Sequence, residues 1–160
     1  MSIIIRSIQE KDNPTLATII RNCFIEFDAP KNGTVFSDPT TDNLYQYFKI
    51  DKSTCWVAEM NNIIVGCCGI YPTENLLNGY VELVKFYITN VARGKGIGKL
   101  LMNKCIESAK EFGYKNIYLE SLPHFKTAIK MYEKLDFTVL QKPLGNSGHS
   151  SCDIWMTKNI

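Results

Sequence analysis

The stretch Arg93-Gly94-Lys95-Gly96-Ile97-Gly98-Lys99 decides how this sequence is read. Before it, residues 80–88 form an apolar, aromatic and β-branched run entered from Asn78-Gly79, which predicts a strand. After it, Ile97, Leu101, Cys105, Ala109 and Phe112 recur at helical spacing, and Gly113 supplies a stop. Residues 117–121 are β-rich again. Strand, loop, helix and strand in that order predict a right-handed parallel crossover. The three alternating glycines let the chain bend sharply and let a ligand approach without a Cβ in the way. A helix start just beyond them offers free N–H groups and the positive end of the dipole, which together attract an anion. The charge pattern agrees, since Lys85, Arg93, Lys95, Lys99 and Lys104 fall between Leu83 and Ile106 with no acid among them.

Two familiar phosphate loops do not fit. A nucleoside triphosphate loop ending at Gly98-Lys99 needs glycine at position 93 and a hydroxyl at 100, where this chain has Arg93 and Leu100. A dinucleotide Gly-x-Gly-x-x-Gly pattern started at Gly94 ends on Lys99, and started at Gly96 it ends on Leu101.

Outward from this unit the remaining elements follow. Residues 3–7 predict a strand. Asp12 offers a cap and Pro14 a first turn for a helix carrying Leu16, Ile19, Ile20, Cys23, Phe24 and Phe27. Residues 28–38 predict a loop, and Leu44, Tyr47 and Phe48 a short second helix. Residues 55–60 and 63–70 predict a hairpin about Asn61-Asn62. Residues 125–135 predict a helix with Ala128, Tyr132 and Leu135 on one face. Residues 137–141 and 152–157 predict two last strands, joined by a polar loop that holds Pro143, Gly145 and Gly148. The order β-α-α-β-β-β-α-β-α-β-β predicts a mixed α/β fold, in one domain spanning 1–160.

Composition supports an ordered globule. With 160 residues, 45% of them hydrophobic, the chain fills one core and not two. Eighteen basic and 16 acidic residues leave a formal charge of +2, which argues against a polyelectrolyte and against a nucleic-acid coat. No apolar run reads as a signal segment or a bilayer span, so the expectation is a soluble, cytoplasmic protein without a membrane partner. The six cysteines form no Cys-x-x-Cys pair and no histidine completes a zinc pattern, so no metal is expected.

Arg-x-x-Gly-x-Gly is what the central stretch does fit, filled by Arg93, Gly96 and Gly98. With Glu82 on the strand before it and Ala128-x-x-x-Tyr132-x-x-x-Asp136-Phe137 closing the last helix, the chain resembles the GNAT superfamily of acyl-CoA-dependent N-acetyltransferases. The resemblance is strongest over residues 55–137 and rests on element order elsewhere. Two positions depart from the family pattern. Asp136 stands where glycine is usual, and Phe125 stands where many members carry an asparagine that contacts the pantetheine arm.

The resemblance implies a mostly antiparallel, twisted central sheet with one splayed parallel strand pair, flanked by about four helices. It implies acetyl-CoA as co-substrate. The N–H groups of Arg93, Gly94, Lys95, Gly96, Ile97, Gly98 and Lys99 would bind its diphosphate. The pantetheine arm would lie between the strand ending at Ile88 and the one starting near Ile117. The N–H of Phe86 or Tyr87 would hold the oxyanion of the tetrahedral intermediate. Glu82 is the candidate general base and Tyr132 the candidate acid for the departing thiolate. The acceptor would be a primary amine of a small molecule, amino acid or peptide, attacking directly in a ternary complex. A non-catalytic acyl-CoA-binding sensor is the competing reading, and analogy with relatives adds a homodimer.

Strand alternation places Glu82, Val84 and Phe86 on one face. Residues 26–42 and 143–151 would frame the acceptor pocket. Glu26, Asp28, Asp38 and Asp42 there outnumber Lys31, a hint of a cationic acceptor. His149, Cys152 and Asp153 are candidates to shape the pocket.

Overall fold

A computed structural model describes all 160 residues. Its elements are β1 (Ile3–Ser7), α1 (Asn13–Glu26), α2 (Leu44–Tyr47), β2 (Thr54–Met60), β3 (Ile63–Tyr71), β4 (Tyr80–Ile88), α3 (Ile97–Glu111), β5 (Asn116–Ser121), α4 (Lys126–Lys134), β6 (Thr138–Val139) and β7 (Ile154–Asn159). The strands form one mixed sheet in the order β1-β2-β3-β4-β5-β7-β6. Only β4 and β5 run parallel. No helix is long and apolar enough to cross a membrane.

The sheet is covered on both faces. On one, α3 buries Ile97, Leu101, Met102, Cys105 and Ala109 against Val81, Leu83, Ile117 and Leu119, and Tyr132 of α4 joins them. On the other, α1 and α2 bury Leu16, Ile20, Phe24 and Leu44 against Cys55, Val57 and Cys67. These are the apolar stripes that the helical spacing marks. The hairpin forms at Asn61 and Asn62, both left-handed with φ of 52° and 66°, as a tight two-residue turn requires.

Several expectations are corrected. The Asp12 carboxylate does not cap α1. It accepts two hydrogen bonds from the Arg6 guanidinium, at 2.8 and 3.0 Å, and one from the Gln9 N–H. The strand expected over 137–141 shrinks to Thr138–Val139, both exposed at the sheet edge, and β7 begins at Ile154 rather than at 152. Of the four helices, α2 is a single turn.

The shared face of Glu82, Val84 and Phe86 is also corrected. Cys67 pairs with Tyr87 and Gly69 with Val84, so β4 carries one residue more than β3 between those points. Lys85 takes the strain of this bulge with φ of +57°. Alternation slips there. Val84 and Tyr87 pack on the α1 side and line one cavity with Glu82, whereas Phe86 packs on the α3 side.

The parallel pair positions the site. It is in register only from Tyr80↔Asn116 to Glu82↔Tyr118. Beyond that point β4 runs on to Ile88 and β5 to Ser121 without pairing, so a gap opens between their C-terminal halves.

Candidate active site

The glycine-lined bend closes one end of this gap. Gly94 and Gly96 have φ of 74° and 80°, conformations in which a Cβ is strained, and nothing lies within 4 Å of where either Cβ would project. Gly96 is the N-cap of α3, and its carbonyl accepts the first helical bond from Leu100 N–H. The N–H groups of Gly94, Lys95, Gly96, Ile97, Gly98 and Lys99 have no acceptor within the chain. Six consecutive free amides at the positive end of a 15-residue helix make a cradle of donors suited to an anion. Gly98 has a different reason to be glycine. A Cβ there would meet Met131 Cε at 2.8 Å and the side chains of Ile88 and Phe86 at 3.2 Å, so α3 packs directly on β4 and α4. Lys95 and Lys99 stand exposed beside the cradle.

Arg93 is placed differently from its expected role. Its N–H closes a turn onto the Asn90 carbonyl at 3.3 Å and is not free for a ligand. Its guanidinium donates to Glu26, to the Ile88 carbonyl at 3.1 Å and to Cys23 Sγ, and it stacks 4.7 Å from the Phe27 ring. Arg93 thus ties α1 to the end of β4 below the bend. Arg93→Ala is expected to lower stability by about 1–2 kcal/mol, since the ion pair is partly solvated and the Ile88 carbonyl loses a donor. A urea titration reads this directly.

From the bend a cleft runs along the gap in two lobes. The larger, of about 240 Å³, is bordered by Ile88, Arg93, Gly94, Gly96, Ile97, Gly98 and Met131. The smaller, of about 70 Å³, is bordered by Glu82, Lys85, Glu120, Tyr132, His149 and Cys152. Phe86, Tyr87, Phe125 and Ala128 border both. The lobes therefore meet at the bulge, beside the main chain of Phe86 and Tyr87. Phe125 packs its ring on Phe24, Phe27 and Tyr87, at centroid distances of 5.1 to 6.0 Å, and forms an apolar wall at the junction.

Glu82 sits in the smaller lobe at 3% exposure. Burial and the nearby Glu120 carboxylate push its pKa up to about 8, against the opposing pull of the Thr73 hydroxyl and Lys85. Thr73 donates to Glu82 Oε1 at 2.5 Å. Such a group changes protonation near neutral pH, which a general base requires. Tyr132 is buried on α4 against Phe86 and Phe137, and its hydroxyl makes no hydrogen bond within the chain. Burial raises its pKa, so it stays protonated and available as a donor.

The two segments expected to frame a pocket meet over the smaller lobe. Ser151 N–H donates to the Gly33 carbonyl at 3.0 Å and Ser151 Oγ to the Asn32 carbonyl at 2.7 Å. His149 Nε2 lies 2.7 Å from Asp38 Oδ2. That contact, with the Thr40 hydroxyl and N–H, holds the Asp38 pKa well below the usual carboxylate range. Cys152 borders the lobe, whereas Asp153 is exposed outside it. Glu120, held by the Tyr118 and Ser147 hydroxyls, joins the site without having been foreseen, as does Lys85. Lys85 did carry a signal, being the one cation inside an otherwise apolar and aromatic half-strand, Leu83–Ile88.

The Acetyltransferase (GNAT) family profile matches residues 16–137. The chain is 36% identical over 161 residues to the uncharacterized N-acetyltransferase YjgM of Escherichia coli (strain K12), covering 99% of this chain and 96% of that protein. Among solved structures, a GNAT-family acetyltransferase from Staphylococcus aureus Mu50 superposes with a TM-score of 0.86 at 24% identity, over 99% of both chains. The putative acetyltransferase yncA of Salmonella typhimurium, solved with its cofactor acetyl-CoA, superposes with a TM-score of 0.77 at 20% identity, over 99% of this chain and 94% of that one.

Proposed function

The chain belongs to the GNAT family of acetyltransferases, and from that premise we propose that it moves the acetyl group of acetyl-CoA to the primary amine of a small molecule, amino acid or peptide, by direct attack in a ternary complex. The observation that carries this reading is the juxtaposition of six acceptor-free amides, a cleft along an unpaired strand edge, and a buried glutamate with a raised pKa at the far end of that cleft.

Acetyl-CoA supplies an activated thioester. The amides of Gly94–Lys99 hold its diphosphate, and the edge of β4 beyond Glu82 lies open to the pantetheine arm. At the bulge, the N–H of Phe86 or Tyr87 polarises the thioester carbonyl and stabilises the charge that develops on its oxygen. Glu82, directly or through a water, removes a proton from the acceptor ammonium so that the neutral amine attacks. Tyr132 gives its phenolic proton to the sulfur as the carbon–sulfur bond breaks, and the second proton shed by the acetylated nitrogen restores the phenol, leaving a neutral amide and a free thiol. Six unpaired cysteines fit work in a reducing cytoplasm.

The test is release of free thiol from acetyl-CoA with a panel of amines, together with a mass gain of one acetyl group on the acceptor. Intersecting initial-rate patterns are expected from a ternary complex. Parallel patterns, or an acetylated cysteine, would contradict direct attack. Coenzyme A binding without turnover of any amine would favour the sensor reading.

Tyr132→Phe is expected to lower kcat by about a hundredfold, the lower end of the usual range for acid catalysis, because a thiolate already leaves readily. Thermal stability should change little, since the lost hydroxyl has no partner in the chain.

A further inference from the structure

The acids that hint at a cationic acceptor are mostly engaged inside the chain. Glu26 binds Arg93, Asp42 binds Arg21, and Asp38 binds His149. The smaller lobe also holds one lysine, Lys85, among its lining residues. The Lys85 side chain is 1% exposed, yet it borders the cavity. Asp38 Oδ2 is the only carboxylate oxygen within 4 Å of its ammonium, at 3.9 Å. The other groups facing it are the Tyr47 ring at 5.3 Å, Glu82 on its own strand, and the thiols of Cys55 and Cys67. None of its three N–H donors has an acceptor at hydrogen-bonding distance.

Asp38 does not supply that acceptor, because its Oδ2 stays 3.9 Å away and is engaged by His149 Nε2, while its Oδ1 takes the N–H and hydroxyl of Thr40. An ammonium this deeply set, with no hydrogen-bond partner in the chain, is costly to keep: burial lowers its pKa, and the nearby Asp38 and Glu82 oppose that shift. The bulge that holds it is costly as well, since a lysine at φ of +57° is strained. Strain and an unsatisfied charge at one residue of a catalytic cavity point to a ligand group that completes it. The same lobe is lined by two acids, Glu82 on the same strand as Lys85 and Glu120 on β5. The cavity therefore offers both acid groups and a donor cation to one ligand.

We propose that the acceptor is an amine that carries its own carboxylate, namely a free amino acid, whose carboxylate is held by the Lys85 ammonium while its amine faces Glu82 and Glu120. This rests on the acetyltransferase reading above and narrows its acceptor. It also gives a route to product release. Acetylation turns the acceptor's cationic amine into a neutral amide, so the product loses its attraction to the acid groups of the lobe and keeps only the contact at Lys85.

The test uses the full chain, acetyl-CoA and a panel of free α-, β- and γ-amino acids, each assayed beside its carboxamide and its decarboxylated amine. The acids are expected to exceed both twins by at least about thirtyfold in kcat/KM, because a neutral twin leaves the buried ammonium without its partner. In Lys85→Met that preference should fall to within about threefold, while calorimetry still registers coenzyme A binding. Carboxamides or plain amines acetylated as well as the acids would overturn the proposal. So would an undiminished preference in Lys85→Met, or a panel in which no acid is acetylated. The wild-type ratio needs no variant and stays decisive should Lys85→Met fold poorly. Thiol release as fast with amines lacking a carboxylate as with the acids would sink this proposal and spare the acetyltransferase reading. Absence of both coenzyme A binding and thiol release would sink the two together.

Discussion

Glu82→Gln is expected to lower kcat/KM by about 10³ above pH 8 and to remove one ascending limb from the pH profile. The sign follows from burial. A carboxyl whose pKa is raised to about 8 is mostly protonated at pH 7 and serves as a base only as pH rises. Wild-type activity should therefore climb through about pH 8, on top of any slope contributed by the acceptor's own amine. Glutamine keeps the shape and the Thr73 contact but takes no proton, so only the amine's slope should remain. Glu120→Gln provides a cross-check. The Glu120 charge helps to raise the Glu82 pKa, and its removal should move the limb to lower pH. A Glu82→Gln enzyme with wild-type rate and profile would show that another group, or water alone, carries the proton.

The β4–α3–β5 unit was readable because local signals agree there. Apolar strands, alternating glycines and a helical stripe each allow one reading, and together they allow one topology. The misreadings share a physical origin in long-range contacts. The bulge is set by a non-glycine residue, Lys85, whose left-handed conformation leaves no mark in the sequence, so strict alternation put Phe86 on the wrong face. The acids of residues 26–42 seemed free because their partners lie far along the chain, as with Glu26 and Arg93 or Asp38 and His149. The edge strand at 138–139 is short because the chain turns away toward the site. There Leu144 N–H donates to the Tyr118 hydroxyl, and Asn146 N–H to the Glu74 carbonyl. Glu82 and Tyr132 were found through the family pattern. Glu120 and Lys85 needed the splayed strands and the bulge before they could be seen to face one cavity.

The cradle at the bend should be the most sensitive point for coenzyme A. Gly96→Val is expected to weaken coenzyme A binding by two to three orders of magnitude in calorimetry. Space is not the cause, since nothing lies within 4 Å of the missing Cβ. The cause is conformation. A β-branched residue at φ of +80° is strained by roughly 1–2 kcal/mol, and relieving that strain swings the Gly96 and Ile97 amides away from a common point. Each amide bond to a charged phosphate contributes about 1.5–3 kcal/mol, so losing the alignment of one or two suffices for the expected change. The fold should survive, because most of the buried residues of α3, from Leu101 onward, lie beyond the first turn. Gly96→Ala should fall between wild type and valine, because alanine lacks the branched Cβ. Gly98→Ala separates the two roles of glycine. Its failure would come from pushing Met131 and Phe86 aside, so its cost should fall on stability as much as on affinity, whereas Gly96→Val should cost far more affinity than stability. Unaltered coenzyme A affinity in Gly96→Val would mean that the free amides at the bend are not what holds the diphosphate.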